Sequence, residues 1–159
     1  MDSPNCATKS ELLASFQTQC REALATLEKA VAESHENATG EETKSDGKYD
    51  TRAIEAAYLA EAQRDQLEKA RANLARLEAL ELEEFGDDRA IAVGALVETE
   101  SDDGLTFYLL APAGGGLSTS YLGCPAMLVT PDSRAFQELH GKRVGDQIEA
   151  LGLEIMGVE

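Results

Sequence analysis

Apolar and small residues recur along the first half of the chain with a period that suits helices packed side by side. Leu13, Phe16, Cys20, Ala23, Leu27 and Ala30 follow one another at spacings of 3, 4, 3, 4 and 3. A polar stretch, ESHENATGEETKSDGKYD, interrupts the pattern. Ala60, Gln63, Leu67, Ala70, Leu74, Leu77 and Glu81 then resume it. A 3-4 repeat is the seam of a coiled coil. Two such seams joined by a polar turn predict an antiparallel helical hairpin. Thr8 and Glu11 have the spacing of a capping box, which places the first helix start near Thr8 and its end near Asn37, before Gly40. The second helix is expected to start between Thr43 and Thr51 and to reach Glu84, with Gly86 ending it. Arms of roughly 30 residues reach about 45 Å at the helical rise.

The pattern changes after Gly86. Ile91, Val93, Ala95 and Val97 alternate as in a half-buried strand. SDDG is a turn, LTFYLLAP a second strand, AGGGL a plain loop and MLVT a short apolar strand. PDSRAFQELHG reads as a brief helix opened at Pro131 or Asp132 and closed by Gly141. DQIEALGLEIMGVE supplies one or two last strands. The expected fold class is α+β: a coiled-coil hairpin over 1–86 with an acidic tip near 36–50, then a small sheet domain with one short helix over 87–159.

Composition narrows the function. The formal net charge of −16 excludes an independent grip on a phosphate backbone, which needs clustered Lys and Arg, so no direct sequence-specific nucleic-acid binding is expected. Such a chain also avoids anionic membranes, and no apolar run approaches the ~20 residues that span a bilayer. The charge serves solubility or suits a basic protein groove. Cys6, Cys20 and Cys124 show neither metal-ligand pairing nor a disulfide framework. With the polar start MDSPNCATKSE, they point to a cytoplasmic protein.

Candidate chemistry concentrates at the hairpin tip, where Glu36, Glu41, Glu42, Asp46 and Asp50 accompany Lys44 and Lys48. Clustered carboxylates on a turn can hold a hard cation such as Mg²⁺. The same composition also describes an ordinary solvated turn. AGGGLS lacks the lysine and spacing of a phosphate-binding loop. His35 and His140 have no ligand-like company, and no nucleophile–base set is visible. No enzymatic site of its own is expected.

Four features make the chain resemble the Gre family of bacterial transcription elongation and transcript-cleavage factors. They are the hairpin-then-sheet order, the run SDGKYDTRAIEAAYLAEAQRDQLEKA, the strand IAVGALVET, and LVTPDSRAFQELHGKRVGDQIE. Tyr49 and Asp50 match the family's Tyr-Asp pair, and Leu139, Gly141, Lys142, Val144, Gly145 and Asp146 match its C-terminal signature. The resemblance implies an FKBP-like sheet domain without isomerase activity. That domain would dock on RNA polymerase at the secondary channel through Asp132, Ser133 and Arg134. The hairpin would carry its tip acids, Glu41, Glu42 and Asp46, toward the catalytic Mg²⁺. Cleavage-competent members use a tip Asp and a Glu to help hold a second ion, the two-metal arrangement. Here the pair falls on Glu42 and Ser45, so a shared Mg²⁺ would rest on Glu42 and Asp46. Gly47, Lys48 and Arg134 also depart from the family pattern. The resemblance thus implies a monomeric polymerase-binding regulator with weak or absent stimulation of cleavage. The alternative is a structural coiled-coil module that homodimerises and does not act on polymerase.

Overall fold

A computed structural model describes residues 5–42 and 51–159, with side chains up to residue 36 and again from residue 51. Two long helices come first, α1 (Lys9–Glu42) and α2 (Thr51–Glu78). A capping box opens α1: the Glu11 amide donates to Thr8 Oγ1 at 3.1 Å, and the Glu11 carboxylate accepts from the Ala7 amide at 2.9 Å. Helix α1 runs past Asn37 and Gly40 to Glu42. One helical glycine costs only about 1 kcal/mol, too little to stop a long helix by itself. Helix α2 stops at Glu78, short of the expected Glu84. Glu81, Glu83 and Glu84 would have added carboxylates at the negative end of the helix dipole, where they are unfavourable.

The helices run antiparallel: Gln17 Nε2 donates to the Leu77 carbonyl at 3.1 Å, and Arg71 pairs with Glu28 at 3.6 Å. Along α2 the less exposed positions are Ala56, Ala60, Gln63, Leu67, Ala70, Leu74 and Leu77; the expected seam gains Ala56 and loses Glu81, which lies past the helix end and is exposed. Along α1 the seam follows Leu13, Phe16, Cys20 and Leu27 as expected, but takes Leu24 and Val31 in place of Ala23 and Ala30, which are exposed. Both phases keep a 3-4 rhythm. The larger side chain wins the inward place because it removes more apolar area from water.

Beyond the helices lies one mixed sheet of seven strands: β1 (Asn5–Cys6), β2 (Leu96–Ser101), β3 (Gly104–Leu110), β4 (Ser118–Tyr121), β5 (Cys124–Val129), β6 (Gln147–Ile148) and β7 (Leu153–Val158). Their spatial order is β1-β4-β5-β3-β2-β7-β6. The short helix α3 (Arg134–Leu139) follows β5. The architecture is therefore α+β, a helical hairpin followed by a sheet domain with one short helix. Strand β2 begins at Leu96, later than the alternation suggested. Gly94 sits at φ 97° and turns the chain there, while Ile91 still reaches the core at 1% exposure. Strand β4 escaped the sequence reading because Ser-Thr-Ser-Tyr has no apolar alternation. A two-residue turn at Leu122 and Gly123, both with positive φ, joins it to β5.

By compactness the chain divides into two units, residues 1–19 with 73–159, and residues 20–72. The sheet unit thus includes the base of each helix. One sheet core gathers Val97, Leu110, Val129, Phe136, Leu139 and Ile155 around α3. Leu12, Leu13, Phe16 and Leu77, from the helix bases, are buried in the same unit. Phe107 and Tyr121 meet edge to face at 4.8 Å. Lys9 ties this unit's ends together: its Nζ donates to the Glu83 and Glu159 carbonyls at 2.9 and 2.7 Å and lies 5.1 Å from the centre of the Phe85 ring. Burial lowers the Lys9 pKa.

Candidate docking site

The loop before α3 is built by its own hydrogen bonds. Ser133 has extended backbone and caps the helix: its Oγ accepts from the Phe136 amide at 3.1 Å. The Ser133 amide donates to the Thr130 carbonyl at 2.8 Å, and Gln137 Nε2 donates to the Pro131 carbonyl at 3.0 Å. Thr130, only 7% exposed, donates its hydroxyl to Asp132 Oδ1 at 2.5 Å. On the inner side, Phe136 and Leu139 anchor α3 in the core, and the Phe136 ring stacks on His140 with centroids 5.5 Å apart. The helix is short, but its placement is over-determined.

Thr130, Pro131, Asp132 and Ser133 form one wall of a cavity of about 610 Å³. Pro112, Ala113 and the glycine run Gly114–Gly116 form a second wall, and Asn73 and Arg76 on the last turns of α2 a third. All three walls belong to the sheet unit. The glycine run is more than a plain loop. Gly114 and Gly116 have φ of 87° and 93°, a region that favours glycine. A side chain at Gly115 would place its Cβ 2.6 Å from Thr130 Oγ1. The loop can therefore lie against Thr130 only as glycine. The cavity is lined by one acidic side chain, Asp132, and one basic side chain, Arg76, both exposed. It can seat a protruding segment of a partner and offer it a charge of each sign.

Of the three residues expected to dock, Asp132 and Ser133 line this cavity; Arg134 opens α3, is exposed, and is not part of the lining. Sequence reasoning missed Asn73, Arg76, Thr130 and the glycine loop. Three consecutive glycines were the available signal, since such a run marks backbone that must turn or approach closely. The tip residues Glu41, Glu42 and Asp46, and with them the Mg²⁺ expected at Glu42 and Asp46, lie outside the described side chains. Among the described residues no group of three or more His, Cys, Asp or Glu could hold a metal ion, and no helix is long and apolar enough to cross a membrane.

Three solved structures align with nearly the whole chain. The crystal structure of GreA factor homolog 1 (Gfh1) of Thermus thermophilus is 19% identical, covers 90% of this chain and 94% of its own, and has a TM-score of 0.36. A structure of the transcription factor Gfh1 is 21% identical over 99% of this chain and 97% of its own, with a TM-score of 0.39. The crystal structure of Thermus aquaticus Gfh1 is 19% identical over 100% and 99%, with a TM-score of 0.34. No protein-family model matches the chain, and no curated protein matches it either.

Proposed function

We propose that this protein is a regulator of transcription elongation that binds bacterial RNA polymerase at the secondary channel. It docks through the cavity beside α3 and directs the hairpin tip toward the active site. Its support is the motif resemblance to the Gre family, whose docking positions fall on Asp132, Ser133 and Arg134. The observation that carries the reading is local: Asp132 and Ser133, chosen from sequence, lie on one wall of a cavity and are held there by hydrogen bonds that Thr130 and the Phe136 amide donate to them. A rim fixed in this way presents its groups with little ordering left to lose on binding.

Stimulation of transcript cleavage is weak or absent in this reading. The tip carries Ser45 where the family pattern has an acid, and a hydroxyl is a poorer ligand than a carboxylate for a hard divalent ion. Lys44 and Lys48 oppose cation binding by repulsion, reduced by solvent screening. The shared Mg²⁺ would be held by Glu42 and Asp46 together with polymerase, and would supply charge stabilisation to the polymerase's own hydrolysis. The protein is not itself an enzyme in this proposal.

The test measures binding to core RNA polymerase and cleavage in stalled, backtracked complexes side by side. Binding without strong cleavage, with cleavage raised by Ser45→Glu, is the expected result. Robust cleavage by the unmodified protein that Asp46→Asn abolishes would show that Asp46 takes the second ligand position. A protein that runs as a homodimer in light scattering and ignores polymerase would instead be a structural coiled-coil module.

A further inference from the structure

The sheet unit carries most of the acidity: residues 1–19 and 73–159 contain eighteen Asp and Glu against six Lys and Arg. Part of that charge gathers on β2 and β7. Glu100 on β2 lies directly opposite Glu154 on β7, and opposite Leu105 on β3. Partners in one register row share a face of the sheet, so two carboxylates and a leucine stand side by side there. Met156 is two residues along β7 from Glu154 and shares its face by strand alternation. Leu105 and Met156 are 37% and 44% exposed, so both remain accessible to a partner. At the strand ends a groove of about 470 Å³ opens, and Glu100, Asp102, Glu149 and Glu154 line it with no lysine or arginine among the lining residues.

Like charges set opposite each other across a ladder repel, and here no described base relieves them. The carboxylates do not converge on a point, since no described group of three could hold a metal ion. The complementary charge is therefore spread over several atoms on a longer partner. The two exposed apolar side chains add that the partner is not purely polar. We propose that this groove and the adjoining strip of β2, β3 and β7 dock a basic, partly apolar segment of another protein. A Lys or Arg side chain lies between Glu100 and Glu154, a second reaches Asp102 and Glu149, and an apolar side chain rests on Leu105 and Met156. This surface is separate from the cavity beside α3 and does not depend on the polymerase reading.

The test uses the full chain and a fluorescent eight-residue peptide of alternating Arg and Leu, read by anisotropy. The expected result is saturable binding that weakens as salt rises. Glu100→Gln with Glu154→Gln should weaken it at least tenfold, and Leu105→Ser with Met156→Ser at least threefold. Asp87→Asn with Asp88→Asn makes the same charge change elsewhere on the unit and should leave binding unchanged. Circular dichroism confirms that each variant folds, and removing the repulsive pair should not lower the thermal midpoint. Absent binding, or equal weakening by the two charge-neutralising pairs, overturns the proposal. It is likewise overturned if spermine binds as tightly as the peptide with the same loss at Glu100 and Glu154, because the groove would then read charge alone.

Discussion

Replacing Leu77 by alanine tests the helix seam where it enters the sheet unit. Leu77 is fully buried, and Leu59 in the same helix is 56% exposed. The two share chemistry and secondary structure and differ in surroundings. Truncating Leu77 removes three carbons from the interior. At about 0.8 kcal/mol each, the lost transfer energy is roughly 2.4 kcal/mol. The residual cavity raises the total to about 3 kcal/mol, within the ~2–5 kcal/mol usual for such changes. Alanine's better helix propensity returns only a few tenths of about 1 kcal/mol. Leu59→Ala gives up little burial and should stay within about 0.5 kcal/mol of the parent.

For a chain of this size about 1 kcal/mol moves the midpoint by roughly 2–4 °C. Leu77→Ala should therefore lower it by roughly 6–12 °C, and Leu59→Ala by about 2 °C at most. Two compact units need not melt together, so the readout should follow the one that holds Leu77. Near-ultraviolet circular dichroism does this through the packed Phe107–Tyr121 pair of the sheet unit. Equal shifts from the two substitutions would refute the seam assignment, as would a Leu77→Ala midpoint within about 2 °C of the parent.

Ser133→Ala should cost about 1 kcal/mol by uncapping α3, while Ser133→Asn retains a cap and stability; both are read by urea unfolding. Gly115→Ala should destabilise by about 1–3 kcal/mol, since its Cβ would intrude on buried Thr130, and should weaken polymerase binding as the rim shifts; a neutral outcome would mean that the loop does not pack there. Tyr121 donates its hydroxyl to Glu159 at 3.1 Å, and burial first, then the Glu159 charge, push its pKa up to about 12. The native state therefore holds this proton more tightly than the unfolded chain, so the stability it adds is complete below about pH 10 and is lost as the pH rises toward 12. Spectrophotometric titration should show a tyrosine ionising near pH 12 in the parent that Tyr121→Phe removes, while Tyr108, whose pKa burial also raises, stays in both.

Much of the hairpin was legible because periodicity is a strong signal. In α2 the seam follows Ala60, Gln63, Leu67, Ala70, Leu74 and Leu77 as expected, and Glu81 drops out because the helix ends before it. In α1 the pattern offers Ala23 beside Leu24 and Ala30 beside Val31. Both members of each pair are apolar, so spacing alone cannot choose between phases one residue apart. Side-chain volume chooses, and the larger residue turns inward. Strands were legible where apolar residues alternate, as in β3 and β7. They were not in β4, where pairing with β5 places polar residues in the ladder. The cavity beside α3 was half legible. Asp132 and Ser133 sit in a recognisable run, but Arg76, Gly115 and Thr130 come together only through the fold.

The site also changes what the Thr-Pro-Asp-Ser run means. Read as sequence, Asp132 and Ser133 are contacts for a partner. In the structure their hydrogen bonds point inward first: Ser133 Oγ serves the Phe136 amide, and one oxygen of Asp132 serves buried Thr130. Gly115 comes close to the same Thr130 hydroxyl, which it can do only because it lacks a side chain. The run thus specifies a rigid rim, and in the proposed docking much of its effect passes through geometry. A displacement of about 1 Å in a preorganised contact is costly even when no contacting atom is lost. In the proposed docking, substitutions at Ser133 and Gly115 therefore act by moving Asp132. Arg76, exposed on the α2 wall, can be changed without loosening that rim. Comparing the two kinds of variant separates the geometry of the site from its charge.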